Sequence, residues 1–218
     1  PSLGPERSSE LEIGFDAAAF EDRIGLEFTW YSKKTQDAII DRPVAPSLGY
    51  PGFQFANIGQ VSNLGMDMSM NLAVIEGDQL SADLNISGGT TYSRIDDMGG
   101  LGEIAVRRTR RHVEGYPLAS QFEKRVVSAD WVTGPGGAVT NVMCDGGTGE
   151  DGRRMGGDPV PCAQAPLVWW GRQSEPTWTM QASPTVTLRQ NLRLSALFYA
   201  QGGNMVGSDA LHNAEIAW

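Results

Sequence analysis

Three pairs of segments in this chain alternate apolar and polar residues with a period of two. From Glu10 to Phe20, Leu11, Ile13, Phe15, Ala17 and Ala19 share one face, and Glu10, Glu12, Gly14, Asp16 and Ala18 share the other. That period belongs to an extended strand, in which successive side chains point to opposite sides. Glu21-Asp22-Arg23 reads as a short turn. From Ile24 to Thr35, Ile24, Leu26, Phe28 and Trp30 then oppose Gly25, Glu27, Thr29, Tyr31 and Lys33. Pro43, Pro46, Gly49, Pro51 and Gly52 break regular structure after it and predict a long loop.

The third segment is the cleanest. Met66, Met68, Met70, Leu72 and Val74 alternate with Gly65, Asp67, Ser69, Asn71 and Ala73. On a helix, residues two apart point to nearly opposite sides, so these methionines would face both core and water; on a strand they form one stripe. Glu76-Gly77-Asp78-Gln79 turns the chain, and Leu80, Ala82, Leu84 and Ile86 return opposite Ser81, Asp83, Asn85 and Ser87. Over about 93–176 the alternation is lost, apart from a short extended segment expected near Arg125–Trp131. A last hairpin sets Trp178, Met180, Ala182, Val186 and Leu188 on one face, turns at Arg189-Gln190-Asn191, and returns with Leu192, Leu194, Ala196, Phe198 and Ala200. Leu197 is the exception on its polar face.

The hairpins, about 10–35, 64–92 and 177–201, share one plan: short turns inside each, long connections between them. Outer-membrane barrels show this asymmetry, with short periplasmic turns and longer extracellular loops. Eleven strand residues span about 36 Å, which at a tilt of about 45° crosses an apolar band about 25 Å tall. No charged residue is expected on the apolar faces, whereas Glu10, Glu12, Asp16, Glu27, Asp67, Asp83 and Arg193 occupy the opposite ones. The fold class is therefore all-β: an antiparallel up-and-down meander. The alternative is a soluble β-sandwich, a carbohydrate-binding module using exposed Trp residues, which alternates in the same way.

Composition narrows the partners. No run of about 18 apolar residues exists to form a transmembrane helix, but a barrel strand needs only about 9–11. A net charge of −9 argues against a nucleic-acid partner, which would need a basic face. The one basic run, Arg107-Arg108-Thr109-Arg110-Arg111, reads as a solvated loop or a lipid-headgroup contact. Cys144 and Cys162 lie in one Gly- and Pro-rich segment. A disulfide between them suits an oxidising, extracytoplasmic setting; two free thiols are the alternative.

Particular stretches resemble a family. Pro5-Glu6-Arg7-Ser8 leads into Glu10-Leu11-Glu12-Ile13-Gly14-Phe15, followed by Asp22-Arg23-Ile24 and Phe28-Thr29-Trp30-Tyr31-Ser32-Lys33-Lys34-Thr35. Asn57-Ile58-Gly59-Gln60-Val61-Ser62-Asn63-Leu64-Gly65-Met66-Asp67 comes next, and Glu175-Pro176-Thr177-Trp178 opens the last hairpin. Their order and spacing resemble the barrel of TonB-dependent receptors, particularly the SusC/RagA group of TonB-linked outer-membrane proteins; Asp67 stands where that group often has Glu. The resemblance implies a partial arc of a roughly 22-stranded transmembrane β-barrel with long extracellular loops. Residues 1–218 then form an incomplete TonB-dependent receptor barrel domain, a C-terminal-half fragment that starts at Pro1 without a signal peptide and ends at Trp218. The implied whole protein is an importer of a glycan, peptide or similar nutrient in the cell outer membrane. Its implied partners are outer-membrane lipid, the TonB complex acting through a plug domain, and a SusD-like surface lipoprotein.

Nothing in the residues points to an enzyme. His112 and His212 lack zinc-site spacing, and no nucleophile-elbow Ser is present. Gly147-Thr148-Gly149-Glu150-Asp151-Gly152 matches GxGxxG but follows no strand pattern and opens no helix. Asp145, Glu150, Asp151 and Asp158 form an acidic segment without the EF-hand pattern, which reads as loop rather than as a Ca²⁺ site. No cofactor, metal or catalytic residue is expected. The candidate substrate-side residues are the loop aromatics Tyr116, Trp131, Trp169 and Trp170, whose competing role is to pack the loop or the rim. Trp30, Trp178 and Phe20 read as lipid-facing girdle residues.

Overall fold

The computed structural model describes residues 3–44, 47, 49, 52–133, 137–189 and 191–205. Pro46, Pro51, Gln190, His212 and Trp218, all used in the sequence reading, lie outside them. In chain order the strands are β1 (Arg7–Ala19), β2 (Ile24–Gln36), β3 (Ile39–Pro43), β4 (Phe53–Asn57), β5 (Gln60–Ile75), β6 (Leu80–Asp97), β7 (Ile104–Ala105) and β8 (Arg110–His112). They continue with β9 (Ser120–Glu123), β10 (Val126–Val132), β11 (Ala138–Cys144), β12 (Val160–Pro161), β13 (Val168–Trp169), β14 (Trp178–Leu188), β15 (Leu192–Ser195) and β16 (Phe198–Gly202).

One sheet dominates. Its order is β1-β2-β5-β6-β14, with β15 and β16 completing the far side. Every pairing is antiparallel between neighbours in the meander. The register aligns the alternating faces into continuous rows. Ala17, Leu26, Met70, Ile86, Ala182 and Phe198 make one apolar row, and Ile13, Trp30, Met66, Thr90 and Trp178 make another nearer the long loops. On the opposite face, Asp16, Glu27, Ser69, Ser87, Gln181 and Tyr199 form one polar row and Gly14, Thr29, Asp67, Gly89, Thr179 and Gln201 the next.

Among the described residues no other layer covers the apolar face: Ile13 is 60% exposed, Phe15 54% and Met68 46%. A sandwich would bury that face against a second sheet. The exposed face of this single sheet overturns the sandwich alternative and leaves hydrocarbon as its solvent. β1 at one side and β15–β16 at the other have no further neighbour among the described residues, as an arc requires.

Several boundaries differ from the sequence reading. β5 and β6 run to 16 and 18 residues, beyond the expected eleven, because the alternation continues past the apolar rows into polar positions. Near the loop end of β2, Lys34 stands on the outward face, opposite Ser9 and Ser62, so the expectation of a charge-free face fails there. Lys34 lies beyond the apolar rows, on the loop side, where an ammonium stays hydrated. Phe20 leaves the strand for the turn, where Phe20, Glu21 and Asp22 all take positive φ (56°, 55° and 66°). It is not part of the strand face that carries Trp30 and Trp178. A register shift at Val74 sets Ile75, rather than Val74, opposite Ala82 at the end of the methionine stripe.

The Leu197 exception has a local cause. β14 pairs with β15 and β16 in one register, Thr185 opposite Ser195 and Ala182 opposite Phe198, so no residue is inserted between them. Pro184 lies opposite the gap; it accepts from Ala196 N (3.2 Å) but has no N–H to return. The ladder is interrupted there while the faces keep their order, and Leu197 stays on the polar face opposite Ser183.

The three short turns lie at one edge of the wall. There Arg23 bridges to Glu76 of the neighbouring turn at 2.9 Å, an exposed pair of small energetic weight. Both long connections leave from the other edge, and they are folded. The first forms the β3-β4 hairpin; the second forms the sheets β13-β9-β8-β7 and β10-β11-β12. The stretch that appeared patternless thus holds seven short strands, of which only β10 was foreseen. A buried core lies where the wall meets this loop layer: Val61 of β5 and Ile95 of β6 pack with Ala38, Ile58, Met98 and Ile104, against Ile40, Leu101 and Leu118.

The wall makes a face-specific prediction for the full-length receptor. Ile86→Lys, in the apolar row halfway along the strand, is expected to cost about 2–4 kcal/mol. Ser87→Lys, one residue away but facing Asp16 and Glu27, is expected to be tolerated. Heat-modifiable migration and outer-membrane yield check the pair; equal loss in both variants contradicts the facing.

Candidate functional site

Two regions can meet a solute: the polar face of the wall and the loop layer above it. The polar face is predominantly acidic. Glu10, Glu12, Asp16, Glu27, Asp67 and Asp83 share it with Lys33 and Arg193, and among the described residues Glu10–Lys33, at 3.5 Å, is the ion pair formed there. Asp16 sits directly opposite Glu27, an arrangement that repels when unscreened. Glu27, Thr29, Asp67, Ser69, Gln181 and Tyr199 line a cleft of about 380 Å³ on this face. Glycines shape it. The Tyr31 ring lies over Gly65, and a Cβ there would collide with the Tyr31 hydroxyl; the Asp67 carboxylate lies over Gly89 in the same way. The Trp178 indole covers Gly202 on the outward face. Such cross-strand pairs of a large side chain over a glycine fix register where the glycine has none of its own.

The loop layer is held by a charged and aromatic node. Glu103 accepts from Arg111 Nη1 and from Arg154 Nη1, each at 2.7 Å. Arg154 stacks over the Phe122 ring at 4.8 Å. Tyr116 meets Phe122 and Trp169 edge-on, at 5.3 Å each, and its hydroxyl accepts from Arg154 N at 2.8 Å. Phe122 and Val168 are wholly buried. Partial burial raises the Glu103 carboxyl, but hydrogen bonds and charge from Arg154 and then Arg111 outweigh it and hold it below its ordinary value. Burial lowers His112, whose Nδ1 accepts from Ala119 N at 3.2 Å.

Cys144 of β11 is bonded to Cys162 just after β12, closing a separation of 18 residues. The adjacent Asp145 is almost fully buried and accepts from the backbone N–H groups of Gly147 (3.0 Å), Gly156 (2.7 Å) and Gly157 (3.1 Å). Burial raises this carboxyl, yet those donors, with Arg125 beside it, bring it below its ordinary value. The GxGxxG match therefore has a structural reading: its first amide points at the protein's own carboxylate rather than at a phosphate. Asp151 is exposed and accepts from Arg153 N at 3.0 Å. Among the described residues no group of three or more His, Cys, Asp or Glu side chains gathers as metal ligands.

The four aromatic candidates separate. Tyr116 and Trp169 pack together in the node, and Trp170, on the same segment, directs its indole N–H to Glu123 O at 3.4 Å. Trp131 stands apart on β10, 66% exposed and lying over Gly137. The Glu103 node and the Asp145 cradle were missed. Only the paired glycines 146–147 and 156–157 hinted at the cradle, since close backbone approach needs residues without a Cβ.

A wall of long antiparallel strands, apolar outside and polar inside, with short turns at one edge and folded loops at the other, defines an arc of an outer-membrane β-barrel. The chain belongs to the TonB-dependent receptor-like β-barrel family, which matches it over residues 1–217. This is an outer-membrane transporter and receptor family, not an enzyme class. The chain is similar to TonB-dependent receptor P26 of Formosa agariphila, 28% identical over 101 residues, which cover 46% of this chain and 10% of that protein. It is 38% identical over 66 residues to TonB-dependent receptor P3 of the same organism, covering 30% of this chain and 6% of that protein. The RagAB peptide transporter structure superposes with a TM-score of 0.71 at 21% identity, over 91% of this chain and 21% of that one. The RagAB peptide importer in its open-open state gives 0.71 over 94% of this chain and again 21% of that one. The fold is thus that of a RagA-type barrel wall, and the chain spans a small part of the length of each relative.

Two outcomes are expected of the loop layer. Glu103, Asp145 and His112 all have lowered folded-state values, so each releases protons on folding and its contribution is lost as pH falls. Loop protection in hydrogen exchange should decline first below about pH 6.5, as His112 begins to bind protons on unfolding, and further through the carboxylate range. His112→Gln should leave only the lower step; a flat profile from neutral to acid contradicts the assignment. Cys144→Ser with Cys162→Ser should destabilise β10–β12 by about 2–4 kcal/mol while the wall stays resistant, read as selective proteolysis of the loop.

Proposed function

We propose that this chain forms part of the wall and outer loop layer of a SusC/RagA-type importer, which carries a glycan, peptide or similar nutrient across the outer membrane using TonB. The observation that carries the proposal is the joint arrangement of the two faces. An apolar outer face demands lipid, while the unbroken polar rows behind it, with a cleft of about 380 Å³, suit a hydrated route through the barrel. Folded loops at the outer edge stand where a substrate arrives. The RagAB structures, described as a peptide transporter and importer, support import as the task and a two-component assembly as its setting. On this reading the partners are the TonB complex, acting through a plug domain in the lumen, and a SusD-like surface lipoprotein over the loops. Of the candidate aromatics, Trp131 is the one that stands clear of the packing and free to meet the imported substrate; Tyr116, Trp169 and Trp170 help to hold the layer together.

The test uses the full-length receptor in its own cells. Growth or labelled uptake on glycan and peptide mixtures should require both the receptor and TonB. Deleting TonB should abolish receptor-dependent uptake, and affinity purification of the receptor should bring down a surface lipoprotein. Receptor-dependent uptake that persists without TonB contradicts the proposal.

A further inference from the structure

The outward face continues beyond the apolar rows. Leu11, Ser32, Leu64 and Tyr92 form the last row before the loops, and the next row on the same face is Ser9, Lys34, Ser62 and Arg94. Two strand residues rise by about 7 Å, so at a tilt of about 45° this row stands roughly 5 Å above the edge of the hydrocarbon band. That is the depth of lipid headgroups.

Beside Arg94 the loop layer leaves a cleft of about 410 Å³, completed by Glu114, Tyr116, Asp151, Arg153 and Trp169. Arg153 stands 5.9 Å from the centre of the Trp169 ring. The ion pairs of the two arginines are long and exposed, Arg94–Asp96 at 3.7 Å and Arg153–Asp151 at 3.6 Å, and such pairs contribute at most about 1 kcal/mol. Both guanidinium groups can therefore exchange partners at little cost. The Trp169 indole N–H is buried and makes no hydrogen bond among the described residues. The cleft thus presents arginine donors, carboxylate acceptors and aromatic faces together. Arg94, which the register places on the outward face, brings the cleft to the lipid side of the wall.

We propose that this cleft binds the phosphorylated sugar headgroup of an outer-leaflet glycolipid. Arg94 and Arg153 donate to the phosphate, with Lys34 adding charge along the same row. Glu114 and Asp151 accept from sugar hydroxyls, and Tyr116 and Trp169 offer the apolar surface against which a sugar ring stacks. The inference rests on the barrel reading, which sets the face toward lipid, and it adds a site apart from the transport route.

The experiment measures binding of bisphosphorylated lipid A to the full-length receptor in lipid nanodiscs. The arms are dephosphorylated lipid A, inorganic phosphate as competitor, and the double variant Arg94→Gln/Arg153→Gln. Wild type should prefer the bisphosphorylated lipid, inorganic phosphate at millimolar concentration should fail to displace it, and the double variant should bind about tenfold more weakly. Arg94→Lys/Arg153→Lys should recover part of the loss. Equal binding of the two lipids by wild type overturns the proposal without recourse to any variant. Displacement by inorganic phosphate overturns it in favour of a free-anion site, and an unaltered double variant that still migrates as a folded barrel overturns the assignment to these arginines. A receptor absent from the outer membrane would instead refute the barrel reading.

Discussion

A backbone inside hydrocarbon has no water to bond with, so each N–H and C=O must find its partner in a neighbouring strand. The rest of this wall follows from that requirement. Pairing along full strands locks adjacent segments into one register, and within the central rows the register carries the apolar residues to one side and the charged residues to the other. The energetic weight therefore lies less in particular side-chain contacts than in keeping the rows aligned. Tyr31 over Gly65 and Trp178 over Gly202 serve this end, since each ties a strand to its neighbour at a position where the glycine alone could slip.

What was legible in the sequence follows the same physics. Hydrocarbon on one side and water on the other leave a period-two record in each strand, so the Met66–Leu72 stripe and its partners could be read residue by residue. Where the solvent ceases to be two-sided, the record fades. Lys34 and Arg94 occupy outward positions by parity but lie beyond the apolar rows, and parity alone cannot say where the band ends. In the loop layer the strands shrink to two to seven residues and their partners are remote in sequence: Glu103 meets Arg154 51 residues away. Two residues have no period. The Asp145 cradle is formed by backbone amides, which no side-chain pattern reveals.

The low identity to the RagAB chains, 21% beside a TM-score of 0.71, fits a wall whose demand at each position is nearly binary. Met, Leu, Ile, Phe and Ala all serve outward, and Ser, Thr, Asn, Gln and acids all serve inward. The loop layer is more exacting, because the Tyr116–Phe122–Trp169 cluster and the Arg154 stack depend on specific shapes and charges. Its bonded cysteines are its own, and its buried core takes in Val61 and Ile95 from the ends of β5 and β6, which fastens the layer to the sheet that carries it.

The two register shifts in the wall both fall at the ends of β5, between Gln60 and Val61 and between Ala73 and Ile75. Between them every residue keeps its partner. A single inserted or deleted residue in that interval would turn a whole strand segment inside out, placing carboxylates in lipid and methionines in the lumen. The wall can accumulate substitutions freely, then, while lineages that change its length must do so two residues at a time or at the strand ends, which makes the spacing between turns a more durable mark of descent than the residues themselves.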